Sequence, residues 1–275
     1  MKTKYFLLMA TVTLGLSSCQ KEFDPASYAP PLNIGGYTSS KQIATSSLVA
    51  YWAFDGSYTD SISNTVGVNT GTSFAKGIKG QGLQGALNGY VVSNTPAAVQ
   101  SLKSFTLSLW EKMPLNDKGI VGLVDVAKSS DFWGNLTFFF ENGGDATTGK
   151  LVARTYTGVV NNGGDNFLKL TDPWNKWNQI VYSYDAATST FKVYFNGSKI
   201  GEKTVANLGQ LTFQDAGKMV FGTVQFQTTP SLTTSTGKQD WASYLVGQLD
   251  EVRIYNKALT ADEISALAKL EGRGK

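Results

Sequence analysis

The sequence predicts an all-β domain, a two-sheet antiparallel sandwich closed by a short C-terminal helix. Most of its 275 residues form short β runs separated by turns, as in the alternating run at residues 105–110. The dipeptide Asn196-Gly197 is typical of a two-residue hairpin turn that joins two such runs. The clearest helix signature lies near the end, where Thr260 can cap a helix and Glu263 can complete a capping box. The length suffices for one sandwich with a full core and a tail.

Charge and composition exclude several classes of function. The chain has 24 Lys and Arg residues against 21 Asp and Glu residues. The formal charge is +3, and loss of a signal peptide that carries Lys2 and Lys4 leaves +1. A near-neutral mature protein gives no electrostatic reason to expect a nucleic acid partner. The sequence contains no histidine, which excludes Ser-His-Asp and Cys-His catalysis and every imidazole metal site.

The N-terminus is predicted to be a secretory signal at residues 1–18, with a basic start and an apolar stretch at residues 5–16. That stretch is shorter than the ~20 apolar residues that a transmembrane helix needs. The signal ends with Leu-Ser-Ser-Cys at residues 16–19, which resembles the bacterial lipobox that is cleaved before an acylated cysteine. Cys19 is the single cysteine of the chain, so it cannot form an internal disulfide.

The lipobox resemblance implies that Cys19 carries the lipid. The alternative is a chance cysteine near a conventional cleavage site. Several acyl chains, such as palmitate, would anchor the protein stably at ~0.8 kcal/mol per buried CH₂ group. Residues 20–24 resemble the export signal of surface lipoproteins in glycan-degrading Gram-negative bacteria. The expected location is therefore the outer membrane, with the protein lipid-anchored and exposed at the cell surface.

After the signal, a tether is expected at residues 19–47 and one domain at residues 48–275. The tether is rich in Pro, Gly and Ser and has no period of 2 or 3.6 residues. The domain begins at Leu48, because residues 48–54 form an almost wholly apolar run, as expected of a strand buried on both faces.

The next strands are predicted from alternation and turn signals. They lie at residues 90–92, 105–110, 119–126, 136–140, 151–156, 177–185, 190–195 and 218–222. Within residues 105–110, Phe105, Leu107 and Leu109 face one layer and Trp110 faces the other. Residues 225–240 form a long loop rich in Thr and Ser, and loops of that length are usually functional or mobile.

The closing stretch, residues 247–264, is the most informative part of the chain. Val252 and Ile254 lie on one face of a strand, and Glu251 and Arg253 lie on the other. Leu249 is out of phase with Val252, so a β-bulge at residues 250–251 is expected to turn it back toward the core.

Four motifs, in this order along the chain, resemble those of LamG-like jelly-roll domains in the concanavalin A-like lectin/glucanase superfamily. They lie at residues 105–110, 177–185, 194–197 and 247–255. The resemblance implies a jelly roll from Leu48 onward and structural roles for Trp110 and Trp177. It also implies a structural Ca²⁺ site built from Asp55 and Asp250, with Asp60 as a further ligand. The alternative is that Asp55 and Asp60 form turns and Asp250 is a bulge residue.

A glycosidase of this superfamily would carry clustered carboxylates on one strand, and no such cluster occurs here. Asp250 and Glu251 come nearest, but adjacent strand residues point to opposite faces. A glycan-binding module needs aromatic platforms among polar side chains. The aromatic residues outside the core motifs and near polar loops are Trp133, Tyr156, Trp174 and Trp241. The sequence therefore favours a non-catalytic protein that binds a polysaccharide or other glycan. A protein-binding adhesion or scaffolding module is the alternative, and a glycoside hydrolase is the less favoured third hypothesis.

Overall fold

A computed structural model describes residues 32–161 and 165–275. The predicted signal peptide and Cys19 lie outside the described residues. Strands make up most of the regular structure of the described part, together with two helices. In chain order, the elements are β1 (Leu48–Trp52), β2 (Gly67–Thr70), β3 (Ser73–Lys76), β4 (Gln81–Gln84), β5 (Tyr90–Asn94), α1 (Ala97–Gln100), β6 (Phe105–Lys112), β7 (Ile120–Val126), β8 (Leu136–Phe140), β9 (Thr148–Thr155), β10 (Gly158–Val159), β11 (Leu168–Thr171), β12 (Asn178–Asp185), β13 (Thr190–Phe195), β14 (Ser198–Thr204), β15 (Lys218–Phe221), β16 (Ala242–Ser243), β17 (Gln248–Tyr255) and α2 (Ala261–Glu271). Neither α1 nor α2 is long and apolar enough to cross a membrane.

The strands form two sheets, as the sequence predicts. The first sheet has the order β14-β13-β12-β6-β17-β4-β3, and β1 also pairs with β17. The second sheet has the order β10-β9-β8-β7-β15-β5-β2, with β11 on β9 and β16 on β7. Every pairing is antiparallel except that of β16 with β7. The all-β sandwich with a short C-terminal helix is therefore confirmed.

The core lies between the two sheets and follows the alternation of each strand. Phe105, Leu107 and Leu109 of β6 are in the core cluster, whereas Trp110 is buried on the other face. The predicted bulge in β17 is also present, because the register with β6 shifts between Asp250 and Arg253. Its backbone turns at Glu251, which has a φ of 49°. The bulge brings Leu249 into the same core as Val252 and Ile254.

Helix α2 covers the outer face of the first sheet. Its capping box is complete, with the Glu263 amide donating to the Thr260 hydroxyl at 3.1 Å and the Thr260 amide donating to Glu263 at 2.8 Å. Ile264 and Leu267 are fully buried. The face of β17 that carries Glu251 and Arg253 is therefore dry.

A buried ionic network fills this dry layer. We call it the arginine network: Tyr51, Trp110, Glu251, Arg253 and Glu271. The guanidinium of Arg253 donates to a Glu251 carboxylate oxygen and, at 2.7 Å, to Glu271 Oε1. Glu271 accepts the Trp110 indole N–H at 2.7 Å, and Glu251 accepts the Tyr51 hydroxyl at 2.6 Å. The network therefore links β1, β6, β17 and α2.

The folded unit begins earlier than Leu48, so the tether expected at residues 19–47 is too long. Residues from Asn33 to Lys275 belong to one compact unit. The hydroxyl of Ser40 donates to the carbonyl of Lys275 at 2.6 Å, and Ile43 is 1% exposed. The buried Ile43 side chain attaches this segment to the domain. The segment has no periodic pattern of apolar residues, so its sequence does not predict that it belongs to the folded unit.

Glu111 of β6 is a buried acid without a cationic partner. It is fully buried, and burial raises its pKa to about 8. One carboxyl oxygen accepts from the Asn178 side chain at 2.9 Å. The other, Oε2, has no hydrogen-bond partner among the described residues. Burial therefore favours the protonated form of the Glu111 carboxyl in the folded protein.

We predict that stability falls as the pH rises through the Glu111 titration. An acid with a raised pKa binds more protons in the folded than in the unfolded state, between its ordinary pKa of about 4.3 and the folded value. The free energy of unfolding should therefore be higher at pH 5 than at pH 9, with a slope of at most ~1.4 kcal/mol per pH unit for this group. Glu111→Gln should flatten the profile, although Asp125, Asp250 and Glu271 shift in the same direction.

Urea unfolding of both proteins at several pH values measures the two profiles. Asp117→Asn is the control, because the Asp117 side chain is 67% exposed. Parallel profiles for wild type and Glu111→Gln would show that Glu111 does not titrate as expected.

Candidate functional site

The outer face of the second sheet carries a group of aromatic side chains outside the main core. We call it the aromatic cluster: Phe132, Trp133, Phe139, Phe226 and Trp241. Phe139 is directed outward by the alternation of β8, because its neighbours Phe138 and Phe140 are in the main core. The other four come from the loops before β8 and between β15 and β16.

The rings of the cluster support one another. Trp133 stacks on Phe139 with ring centroids 5.3 Å apart and an interplanar angle of 8°. Phe226 lies 4.7 Å from Phe132 and is fully buried. The Trp241 centroid lies 5.4 Å from Phe226 and 6.4 Å from Trp133. Trp241 is nevertheless 46% exposed, so a supported ring faces solvent.

Backbone pairing fixes the position of Trp241. The amide of Ile120 donates to the Trp241 carbonyl at 3.0 Å, and Ala242 pairs with Ile120 in parallel register. Gly119 has a φ of 114°, and a Cβ atom there would collide with the Trp241 carbonyl. Glycine at position 119 therefore permits the close approach that places the indole.

Side-chain hydrogen bonds tie the loop between β15 and β16, residues 225–240, to the segments around it. The side chain of Gln225 donates to the carbonyls of Asp131 and Phe132 at 2.8 and 3.0 Å. Gln227 accepts from the Gln239 amide at 3.0 Å and donates to the Ala242 carbonyl at 3.0 Å. These side-chain bonds replace the regular backbone pairing that the loop lacks.

Asp125 lies beneath this loop and supports it. The carboxylate is fully buried and accepts from the Gln225 amide at 2.8 Å and from the Thr137 hydroxyl at 3.2 Å. Burial raises its pKa to about 7, although both bonds oppose the shift. Asp125 therefore acts in positioning the loop and is not exposed to a ligand.

The structure brings together two of the four predicted ligand residues, Trp133 and Trp241. Tyr156 is 44% exposed but lines a separate cavity of about 180 Å³ with Lys128 and Thr212. Trp174 is 7% exposed and packs in the core, where its indole N–H donates to the Asp145 carbonyl at 2.7 Å. The expectation that Trp174 forms a ligand platform is therefore wrong.

Trp177, to which the motif resemblance gives a structural role, is half-buried and lines an open cleft beside the first sheet. The cleft has a volume of about 460 Å³, and its walls include Lys76, Lys112, Gln84 and Gln248. Alternation cannot place the side chain of either Trp174 or Trp177, because both residues lie outside the strands.

The predicted cation ligands also separate. The carboxylate of Asp60 is buried and accepts from the amides of Tyr51, Ile62 and Ser63 at 2.6 to 3.0 Å. It also accepts from the Ser63 hydroxyl. Four donors occupy its oxygens, so Asp60 is a turn former and the expectation that it binds a cation is wrong.

Asp55 and Asp250 flank the same turn, residues 77–81. Asp55 accepts from the Gln81 amide at 2.7 Å, and Asp250 accepts from the Lys79 amide at 3.1 Å. A Cβ atom at Gly80 would collide with the Asp55 carboxylate, and one at Gly77 would collide with that of Asp250. Glycine therefore keeps both carboxylates close to the turn.

The donor set around this turn fits a hard cation only if the main chain takes part. Burial raises the pKa of Asp250 to about 8. Among the described residues, no three His, Cys, Asp or Glu side chains are grouped to hold a metal. Two carboxylates with carbonyl oxygens of the turn would give the all-oxygen ligand set that Ca²⁺ takes.

Comparison with solved structures places this arrangement among known folds. The binding domain of Paraclostridial Mosquitocidal Protein 1 matches with a TM-score of 0.55 and 18% identity, over 81% of this chain and 52% of that chain. Domain 4 of AbnA, an extracellular GH43 arabinanase from Geobacillus stearothermophilus solved with arabinotriose, matches with a TM-score of 0.52 and 20% identity, over 81% and 98%. A structure of botulinum neurotoxin type C, whose cell entry depends on two ganglioside molecules, matches with a TM-score of 0.57 and 12% identity, over 85% and 53%.

These likenesses show the fold, and the chain spans about half the length of the toxin chains it matches. A search of curated sequences found no matching relative. The family model Laminin_G_3, described as the concanavalin A-like lectin/glucanases superfamily, matches residues 84–265. That match covers most of the chain, from the end of β4 into α2, and therefore includes most strands of both sheets. The chain belongs to the concanavalin A-like lectin/glucanases superfamily.

Proposed function

We propose that this domain binds a glycan on the aromatic cluster and does not cleave it. The observation that carries the proposal is Trp241, a 46% exposed indole held on a base of buried aromatic rings. The apolar face of a sugar ring can bury itself against such a ring, while its hydroxyls bond to polar groups around it. Because the base is already packed, little side-chain entropy is lost on binding.

The comparisons support the same function. The arabinanase domain was solved with arabinotriose, and the neurotoxin type C depends on gangliosides. Both ligands are glycans or carry them. This chain shares the fold of those proteins and carries the exposed indole of Trp241 on the outer face of its second sheet.

Several acids that could serve in hydrolysis are used within the fold. Asp250 and Glu251 are the nearest pair in sequence, but Glu251 is fully buried and bonded to Tyr51 and Arg253. Asp125 is closed off beneath its loop. Glycoside hydrolysis needs two carboxyl groups that both reach the scissile bond. These contacts favour binding over catalysis.

An apolar patch at one end of the sandwich favours a second candidate function, adhesion to a protein. Leu87, Leu115 and Val246 are 68%, 39% and 50% exposed and line a cavity of about 210 Å³. Neighbouring exposed apolar side chains often mark protein-binding surfaces. The patch has no exposed aromatic ring comparable to Trp241, so we rank protein adhesion second to glycan binding.

We predict that Trp241→Ala weakens glycan binding and leaves the fold intact. Loss of one central stacking residue should cost about 1–3 kcal/mol, or roughly tenfold to a hundredfold in Kd. The chain from residue 20, which lacks the predicted lipid anchor, is first screened on a glycan array. Calorimetry with the best ligand then measures Kd for both proteins, and the same mixtures are assayed for new reducing ends.

Tyr156→Ala is the matched control, because Tyr156 is 44% exposed and lies outside the cluster. An equal loss of affinity in both variants would show that the aromatic cluster is not the binding site. Reducing ends that accumulate with time would make the protein an enzyme. A protein that binds no glycan but captures one defined protein would favour adhesion.

We also propose a structural Ca²⁺ at the turn between Asp55 and Asp250. A cation that binds only the folded state stabilises it by about 2.7 kcal/mol at a hundredfold excess over its Kd. The melting temperature in excess Ca²⁺ should therefore be higher than the melting temperature in EDTA. Asp55→Asn should reduce that difference. Asp60→Asn is not a suitable control because Asp60 holds a turn, so Asp117→Asn is used. Superimposable melting curves, with no Ca²⁺ by elemental analysis, would reject the site.

We further propose that the protein is a lipoprotein anchored in the outer membrane and displayed at the cell surface. The proposal is supported by the lipobox at residues 16–19 and the following polar segment. Cys19→Ala should move the protein from the membrane fraction to the soluble fraction. If the variant stays with the membrane as wild type does, the lipid is not attached at Cys19.

A further inference from the structure

A second feature of the same face is the guanidinium of Arg154. Arg154 points outward from β9, and its Cζ atom lies 5.0 Å from the centroid of the Trp133 ring. The side chain is half-buried. Within residues 32–161 and 165–275, the guanidinium makes no hydrogen bond or ion pair. A guanidinium has five N–H donors, and no described residue accepts from any of them.

The other arginine of the folded strands shows how unusual this is. Arg253 of β17 is buried and donates to two glutamates. Arg154 is also partly dehydrated, and burial lowers its pKa. Asp131 is close enough to favour the charged form, but its carboxylate already accepts from Lys128 at 3.2 Å and from the Phe132 amide at 2.7 Å. The nearest acid is therefore engaged with other partners.

The strands and loops on this side of the sheet carry charged side chains of both signs. Lys150 lies on the same face of β9, with its ammonium group 5.0 Å from the Phe167 ring. Lys169 of β11 is directly opposite Lys150. Like charges opposite each other destabilise a strand pair. Glu141 follows β8 across from Lys150, where its side chain accepts from the Asn142 amide at 3.0 Å, and Asp165 lies 3.8 Å from Lys169.

We propose that the glycan is anionic, with a carboxylate or sulfate group that binds Arg154. The inference rests on the proposed glycan-binding function. Arg154 and Trp241 both contact Trp133, so one oligosaccharide can reach both. The planar fork of a guanidinium matches the two oxygens of a carboxylate or sulfate, and such charge-assisted bonds are about twice as strong as neutral ones. A neutral sugar would add no counter-charge beyond that of Asp131, which is not hydrogen-bonded to the guanidinium.

A purely structural role for Arg154 makes a different prediction. If the guanidinium only packs on Trp133 as a cation–π contact, its replacement would change stability and leave the choice of sugar unchanged. Selectivity between charged and uncharged sugars therefore separates the two roles.

The test uses probes in matched pairs. Oligogalacturonate is compared with its methyl ester, sialyllactose with lactose, and a sulfated oligosaccharide with its unsulfated form. Calorimetry on the chain from residue 20 measures Kd for wild type, Arg154→Gln, Arg154→Lys and Lys199→Gln. Lys199→Gln removes the same charge from an exposed position on β14 of the first sheet. Thermal melting confirms that each variant is folded.

We expect wild type to bind at least one charged probe ten or more times more tightly than its uncharged partner. Arg154→Gln should lose most of that preference while its Kd for the uncharged probe stays the same. Arg154→Lys should keep part of the preference, and Lys199→Gln should keep all of it. The pair that shows the preference identifies the anion as a carboxylate or a sulfate.

Three results would overturn the inference. Equal binding of charged and uncharged probes by wild type, unchanged in Arg154→Gln, removes the anionic preference but leaves glycan binding in place. If a glycan array detects binding only to uncharged sugars, the proposed function again stands without this inference. If no sugar of either class binds, both proposals fail together.

Discussion

The pairing of the Arg253 guanidinium with Glu251 and Glu271 ties helix α2 to the first sheet. The guanidinium lies in a dry layer between two glutamates, and its Cζ atom is 3.9 Å from the centroid of the Tyr51 ring. Removing one partner of a buried ion pair typically costs about 3–5 kcal/mol, because it leaves the other charge uncompensated. The pairing therefore forces α2 to dock where Glu271 reaches Arg253.

The bulge links the arginine network to the core and to the turn at residues 77–81. It directs Leu249 into the core and Asp250 toward the turn at residues 77–81. Docking of α2 closes the outer face of the first sheet. The aromatic cluster and Arg154 lie on the outer face of the second sheet, which α2 does not cover. The binding face proposed here is thus the face that the arginine network leaves open.

The sequence predicts the regular parts of this arrangement well. Alternation gives the layers of β6, the phase error at Leu249 gives the bulge, and Thr260 with Glu263 gives the start of α2. Alternation also places Glu251 and Arg253 together on the second face. It cannot show that α2 buries them, because that depends on a contact between residues far apart in sequence.

The site is less predictable for the same reason. Trp174 and Trp177 lie three residues apart outside a strand, and only the packing of loops decides that one is buried and the other lines a cleft. Asp60 carries a carboxylate of the kind that binds cations, but nearby backbone amides donate to its oxygens. Arg154 could be placed on an outer face by alternation. Its lack of a partner becomes visible only when the neighbouring acids are positioned.

The central claim is that a glycan binds the aromatic cluster on the second sheet. The most direct measurement is a titration of ¹⁵N-labelled protein with the best ligand from the array, following the indole N–H signals of the six tryptophans by NMR. Trp241 and Trp133 should shift with a common Kd. Trp110 and Trp174 should not, because their N–H groups are bonded inside the fold. Shifts of Trp177 without shifts of Trp133 and Trp241 would place the ligand in the cleft beside the first sheet and contradict this account.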